Sequence, residues 1–154
     1  MTTNKFQVFD RFPDYLDYKF VNWDELRTGK DSELLGTDSV APCLAITLYD
    51  PEIRVGALAH ITGWNHSPKE LKPERIIDTL LCRLESVGDI DYQRLEATLA
   101  GEGTIFVERQ RNSSIVRNVL MEYEIPIIGE DLCKAPGRLV FLHCDSGLVE
   151  VYRA

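Results

Sequence analysis

Residues 37–60 read TDSVAPCLAITLYDPEIRVGALAH, and we expect the rest of the fold to be built around them. An apolar run over 43–49 stops at an Asp-Pro-Glu turn signal, and a second apolar run over 53–61 returns from it. Nearly continuous apolarity predicts two hairpin strands that are buried on both faces. The hairpin would bring Cys43, at the start of one strand, near His60, at the end of the next. A thiol beside an imidazole is the minimum that a cysteine nucleophile needs.

The composition is that of a soluble globular protein. With 154 residues, 44% of them hydrophobic and 27% charged, the chain predicts a single domain over 1–154. A net charge of −8 argues against a surface for nucleic acid or anionic membranes. We expect no membrane insertion and a cytoplasmic location, because the sequence has no signal peptide and no long apolar run.

Other segments predict helices and strands in alternation. The clearest helix spans 73–87, and a second spans 114–124. Period-two apolarity favours a strand over 94–101, although a short helix competes there. Further strands are predicted at 104–107, 125–128, 138–143 and 148–152, the last two as a hairpin. This order predicts an α+β fold, a layered β-sheet structure with two to three helices packed on one side.

The two segments before the hairpin are expected to be less regular. Residues 1–32 predict an aromatic-rich, irregular N-terminal arm with a strand near 16–21 and one helical turn at 23–26. Its rings are expected to complete the core, in preference to docking a partner. Residues 33–42 predict a loop.

Cys43 and His60 are the residues best suited to chemistry. A lone cysteine that begins an apolar strand is more often a small core residue. The functional interpretation of Cys43 therefore depends on the residues expected near it. His60 would take the thiol proton and later give it to the leaving group. Either Thr37 or Asp38 would orient the imidazole, and the sequence does not separate them. A metal site built on Cys43 and His60 is a weaker alternative without supporting spacing.

Four further features are interpreted as structural or solvated rather than as parts of a functional site. His66 is expected to be solvated, His143 to pack in a strand, and Cys82 to be a passive thiol on the first helix. The acidic pair Glu130-Asp131 is interpreted as a solvated turn. The sequence contains no Walker-type loop, G-x-G-x-x-G, H-E-x-x-H or G-x-S-x-G motif.

These residues resemble the bacterial chemoreceptor glutamine deamidases of the CheD family. In that family a threonine precedes a cysteine by six residues, an apolar strand ends in Asp-Pro, and a histidine lies ten residues past the aspartate. Here Thr37, Cys43, Asp50-Pro51 and His60 stand at those spacings. Short motifs further along the chain also resemble the family, namely Arg111-Asn112, IPIIGED at 125–131, Gly137-Arg138 and SGLVEV at 146–151.

The resemblance implies a CheD-like fold and a cysteine-dependent protein-glutamine deamidase. Cys43 would be the nucleophile, His60 the general base and acid, and Thr37 the residue that orients it. The implied substrate is a chemoreceptor-like protein, with no cofactor or metal, and a CheC-type phosphatase is an implied partner. The family can also hydrolyse receptor methyl esters.

The sequence departs from the family at several glycines. The usual Gly-Ser before the cysteine is Ala41-Pro42, and a later Gly-Gly-Ala becomes Gly101-Glu102-Gly103-Thr104. A glycine before the helix is Arg109, and another glycine pair is Cys133-Lys134. The alternatives are therefore a non-catalytic CheD-like binding module that regulates a phosphatase-type signalling partner, and a cysteine hydrolase with unrelated substrates.

Overall fold

A computed structural model describes residues 5–14, 17–103, 112–133 and 135–153. These residues form ten β-strands and two α-helices. The elements are β1 (Phe6–Phe9), β2 (Lys19–Phe20), β3 (Glu25–Lys30), β4 (Leu34–Thr37), β5 (Leu44–Asp50), β6 (Val55–Ile61), α1 (Ile76–Glu85), β7 (Glu96–Gly101), α2 (Asn112–Glu122), β8 (Ile127–Leu132), β9 (Arg138–His143) and β10 (Val149–Arg153).

The strands form two five-stranded sheets. The first sheet has the order β1-β10-β9-β4-β2, and the second has the order β3-β6-β5-β7-β8. Both sheets mix parallel and antiparallel pairs, since β1 runs parallel to β10 and β8 parallel to β7. The predicted hairpins β5–β6 and β9–β10 are both antiparallel.

The second sheet lies between the first sheet and the two helices. One core, between this sheet and the helices, contains Leu44, Ile46, Ala57, Ala59 and the apolar faces of α1 and α2. The other core lies between the two sheets, and it contains Leu35, Cys43, Ala45, Leu58 and Val140 among others. All seven residues of β5 and all seven of β6 are buried. The predicted α+β fold, with layered sheets and helices on one side, is confirmed.

Helix α1 illustrates why the helices cover one face. Its buried residues are Ile76, Ile77, Leu80, Leu81 and Leu84, which form one stripe at helical spacing. The helix begins three residues later than predicted, because residues 73–75 form turns before it. Exposed Cys82 lies off the stripe, as expected.

The strand interpretation of the 94–101 segment is confirmed as β7. Leu95, Ala97 and Leu99 face the helix-side core, as the period-two pattern predicted. Ala100 faces the inter-sheet core. The competing helix is wrong because β5 needs a second neighbour for its backbone groups, and β7 supplies it.

The loop predicted over residues 33–42 is wrong. Residues 33–42 include β4, so they are not a continuous loop. Gly36 is a residue type typical of loops, but it lies in β4, where a Cβ would collide with the rings of Tyr18 and Phe141. Glycine serves close packing at this position rather than chain reversal.

The N-terminal arm is more regular than predicted. It contains β1, β2 and β3, and Glu25 begins β3, so the helical turn predicted for 23–26 is wrong. The six residues of β3 pair with β6 and complete the backbone hydrogen bonds of that strand. The rings are divided between core and surface, because Phe6 packs on the inter-sheet core whereas Phe12 and Trp23 are exposed. The strand predicted at 104–107 lies outside the described residues.

Candidate active site

Thr37 and His60 meet between the two sheets. Thr37 ends β4 of the first sheet, and His60 lies near the end of β6 in the second. Both side chains are buried, and Thr37 Oγ1 lies 2.8 Å from His60 Nδ1. The predicted pairing of a threonine hydroxyl with the imidazole is therefore present.

The hydrogen bonds of Thr37 fix the tautomer of His60. The Thr37 hydroxyl donates its one proton to the carbonyl of Val21, 2.7 Å away. It can therefore only accept from the imidazole, which places the ring proton on Nδ1. His60 Nε2 then carries a free lone pair, and this buried atom has no hydrogen-bond partner among the described residues. An imidazole in this state is prepared to accept a proton at Nε2.

Cys43 lies on the same face of the second sheet as His60. Ala45 pairs with His60 across the β5–β6 ladder, and Cys43 is two residues before Ala45, in the inter-sheet core with it. Cys43 and His60 are thus diagonal neighbours, a spacing that long side chains can bridge. Cys43 forms no hydrogen bond with Nε2 in the described structure.

Burial keeps both groups uncharged near neutral pH. Burial, with a smaller contribution from the charge of Asp24, raises the pKa of the Cys43 thiol to about 11. Burial lowers the pKa of His60 to about 4, although the charges of Asp24 and Asp38 oppose this change. The resting pair is therefore thiol and neutral imidazole, not thiolate and imidazolium.

The Gly101-Glu102-Gly103 segment holds the loop that leads to Cys43. The Glu102 N–H donates to the Cys43 carbonyl at 2.8 Å, and the Gly103 N–H donates to the Ala41 carbonyl at 2.7 Å. Gly101 has a φ of 138°, and a Cβ there would collide with the Cys43 carbonyl. Gly101 permits this close approach, whereas a Cβ at Gly103 would collide with the Ala135 carbonyl. Thr104 lies outside the described residues.

A buried ion pair supports the same loop from the other side. The Arg138 Nε donates to Asp131 at 2.7 Å, its Nη1 donates to the Gly101 carbonyl at 3.2 Å, and its own carbonyl accepts from Val40 N at 3.1 Å. Burial alone would raise the pKa of Asp131, but Arg153 and Arg138 outweigh it and hold the pKa below its usual value. The solvated turn predicted for Glu130-Asp131 is wrong, because Asp131 is buried in β8.

Asp24 is the charged residue of the site that the sequence interpretation missed. Its N–H donates to the His60 carbonyl at 2.7 Å, and its carboxylate accepts from the Thr62 N–H and from the hydroxyls of Thr62 and Ser67. Asp24 has a φ of 52° in the turn before β3. An aspartate after a tryptophan has no distinctive pattern, so no signal in the sequence pointed to it.

The remaining predicted residues lie apart from this group. His66 is exposed and its ring lies 5.2 Å from that of Trp64. His143 is at the opposite end of β4, where it pairs with Leu34 and its Nε2 lies 2.6 Å from Glu150. Asp38, the alternative orienting residue, influences His60 through its charge, whereas Thr37 bonds the ring.

Neither a metal cluster nor a membrane helix is found in the described part of the chain. Residues 5–14, 17–103, 112–133 and 135–153 contain no group of three or more His, Cys, Asp or Glu residues that could hold a metal ion. Within these ranges no helix is long and apolar enough to cross a bilayer.

A buried thiol, an imidazole with a free Nε2 and an orienting hydroxyl are the residue types of a cysteine hydrolase. Comparison with known proteins gives the family. The profile described as CheD chemotactic sensory transduction matches residues 74–153. The chain belongs to the CheD family, which confirms the resemblance seen in the sequence.

Curated relatives from archaea and bacteria cover most of the chain. A probable chemoreceptor glutamine deamidase CheD of Archaeoglobus fulgidus is 30% identical over 80% of this chain and 85% of that protein. The Clostridium novyi protein of the same name is 31% identical over 85% and 94%, respectively. The chemoreceptor glutamine deamidase CheD of Thermotoga maritima is 28% identical over 84% and 87%. These names agree with the predicted class of enzyme, a protein-glutamine deamidase.

Proposed function

We propose that this protein is a cysteine-dependent deamidase that converts glutamine side chains of chemoreceptor-like proteins to glutamate in the cytoplasm. The names of its relatives support the reaction and the substrate class. The observation that carries the proposal is His60, whose Nδ1 is bound to Thr37 while its buried Nε2 has no partner among the described residues. Leaving a buried polar atom unpaired costs stability, so a role in proton transfer accounts for it.

Acylation begins with proton transfer. As the thiol of Cys43 gives its proton to His60 Nε2, the sulfur attacks the side-chain amide carbon and the carbonyl oxygen takes the negative charge. The tetrahedral intermediate then collapses, the C–N bond breaks, and ammonia leaves with the proton from His60. A thioester between Cys43 and the glutamyl side chain remains.

Hydrolysis of the thioester restores the enzyme. Water attacks the thioester carbon as its proton passes to His60, the C–S bond breaks, and the proton returns to the sulfur of Cys43. The product is glutamate, so that one glutamine and one water yield one glutamate and one ammonia. Thr37 would keep Nε2 directed at these protons throughout the cycle.

The oxyanion would be stabilised by backbone donors near the nucleophile. Pro42, in the loop before Cys43, has no N–H to offer. The N–H of Cys43 itself would therefore be the backbone donor nearest to the sulfur. This local difference from the Gly-Ser of the family would change the shape of the site but leave the thiol chemistry unchanged.

The test is deamidation of a chemoreceptor cytoplasmic fragment, followed by mass spectrometry of its glutamines. We expect wild type to convert specific glutamines and Cys43→Ala to convert none above background. Cys144→Ala is the matched control, because Cys144 is also a buried thiol with a raised pKa but lies apart from His60. Equal conversion by wild type and Cys43→Ala would refute the proposal.

A second function is favoured by one surface feature. Trp23 and Trp64 are 51% and 43% exposed and form a T-shaped pair with centroids 6.1 Å apart. Exposed tryptophans are common at protein contacts, so a binding module for a CheC-type phosphatase is the alternative. In a pull-down with this phosphatase, binding that Trp64→Ala abolishes and Cys43→Ala preserves would support the module.

A further inference from the structure

We propose that Asp24 is a functional residue of this site: its carboxylate stabilises the imidazolium that His60 becomes during the reaction and holds Thr62 beside Cys43. This inference rests on the proposed deamidase function. Asp24 is a positioning residue, because it acts through His60 and Thr62 and not on the substrate.

Hydrogen bonds tie both the backbone and the side chain of Asp24 to the end of β6. The Asp24 N–H donates to the carbonyl of His60 at 2.7 Å. Its carboxylate accepts from the Thr62 N–H at 3.0 Å, from the Thr62 hydroxyl at 2.9 Å and from the Ser67 hydroxyl at 2.7 Å. The carboxylate thus binds the residue two positions after His60 and the loop that follows it.

The same network reaches the nucleophile. The ladder between β5 and β6 ends with the pair of Leu44 and Ile61, and Cys43 and Thr62 are the residues next to this pair on each strand. Opposite residues of an antiparallel pair have Cβ atoms about 5 Å apart, so we infer that Thr62 lies beside the thiol. Asp24 therefore fixes the side chain that flanks Cys43.

Charge gives Asp24 its second role. The imidazole of His60 is buried, so its protonation is costly unless a negative charge compensates it. Two other acids lie near His60, namely Asp38 after β4 and Glu25, the exposed cross-strand partner of His60 in β3. Asp24 acts on both reacting groups. After burial, its charge is the largest contribution to the raised pKa of Cys43, and it opposes the lowering of the pKa of His60 that burial causes.

A charge at this position has opposite effects on two measurable rates. Without it the thiolate of Cys43 forms more readily, so alkylation of the free thiol becomes faster. The imidazolium loses its counter-charge, so deamidation becomes slower. Loss of a purely structural residue would also expose the buried thiol and speed its alkylation. Ser67→Ala, which removes a hydrogen bond to Asp24 but keeps its charge, is therefore the structural control, and its alkylation rate should equal that of wild type. A residue that bound substrate would raise KM.

The experiment compares wild type with Asp24→Asn and Asp24→Gly. Both replacements suit a positive φ, and both remove the charge. We expect several-fold faster alkylation of Cys43 by iodoacetamide at pH 8, and a kcat for receptor-fragment deamidation that is lower by about tenfold with KM unchanged. Asp38→Asn is the matched variant, since the charge of Asp38 influences His60 and not Cys43, and its Cys43 alkylation rate should equal that of wild type.

Alkylation that is unchanged or slower in both Asp24 variants would overturn the inference, and so would an unchanged kcat or an increase in KM alone. Exposed Asp89→Asn, in the loop after α1, should leave both rates at the wild-type value. The alkylation assay needs no substrate. If wild type does not deamidate, the proposed function fails, while the effect of Asp24 on the thiol is still decided.

Discussion

The two ends of the β5–β6 hairpin each contain a fully buried polar side chain, but the two side chains differ in how many of their hydrogen-bonding groups are satisfied. Asp50 ends β5 at the turn, and His60 lies at the other end of β6. Asp50 accepts from Arg94 through Nε and Nη2, at 3.0 Å and 2.9 Å, and from the N–H groups of Glu52 and Asp91. Every lone-pair direction that the carboxylate offers is used.

His60 has only half of its hydrogen-bonding capacity satisfied. Its Nδ1 is bound to Thr37, and its Nε2 has no partner in the described structure. A satisfied buried group stabilises the fold, whereas an unsatisfied one costs about 1–3 kcal/mol. The turn end of the hairpin is therefore built for stability, whereas the Cys43 end carries a cost that catalysis would explain.

The largest expected effect is that of His60→Gln on turnover. Glutamine keeps a polar side chain of similar size but removes the base, so we expect kcat for deamidation to fall by about 10³-fold. The thermal melting curve should show a folded protein. A kcat within a factor of two of wild type would show that the unpaired Nε2 has no catalytic role.

The second prediction concerns the pH dependence of stability. His60 has a pKa of about 4 in the folded protein and 6.5 as an ordinary histidine, so the unfolded chain binds the proton more readily. Its contribution is fully present above pH 6.5 and is lost as pH falls from 6.5 toward 4. Urea unfolding should show that wild type loses about 3 kcal/mol more than His60→Gln over this window. Parallel pH curves for the two proteins would contradict the burial of a neutral imidazole.

The third prediction tests the turn end. Asp50→Asn keeps the shape of the side chain but removes the charge that pairs with Arg94, and it should lower the free energy of unfolding by about 2 kcal/mol at pH 7. Burial alone would raise the pKa of Asp50, but hydrogen bonds from Arg94, Asp91 and Glu52 hold it below its usual value. The loss should therefore disappear as pH falls through that lowered pKa. Activity at low temperature should be unchanged, and a fall in kcat would remove the contrast between the two ends.

The smallest expected effect is that of Thr37→Val. Valine keeps the volume but cannot accept from Nδ1, so the imidazole loses its fixed tautomer and kcat should fall about tenfold. Thr98→Val is the matched control, because Thr98 is a buried threonine on β7, which β5 separates from the strand of His60, and its hydroxyl bonds that of Thr47. Equal kcat values for the two variants would show that Thr37 does not orient the imidazole and would favour Asp38 in that role.

The hairpin could be predicted from the sequence because two apolar runs, over 43–49 and 53–61, flank an Asp-Pro-Glu turn and favour paired, buried strands. Spacing that resembles one family also placed Cys43, His60 and Thr37 together. The strand β4 was missed because glycine is typical of loops. Gly36 is instead required by its close packing against the rings of Tyr18 and Phe141, which is a tertiary contact. Asp24 could not be found because its role depends on the pairing of β3 with β6, a long-range contact that no local pattern encodes.

We propose that Cys43 forms a thioester in a reaction assisted by His60 Nε2. The most direct test is acid quenching of wild type during turnover of a receptor peptide whose glutamate carries a γ-methyl ester, followed by intact-mass and peptide mapping. An ester acylates faster than an amide, so the glutamyl thioester should accumulate on Cys43, and the adduct should be absent from Cys43→Ala. Product formation by wild type without any adduct, together with undiminished product formation by Cys43→Ala, would contradict the account.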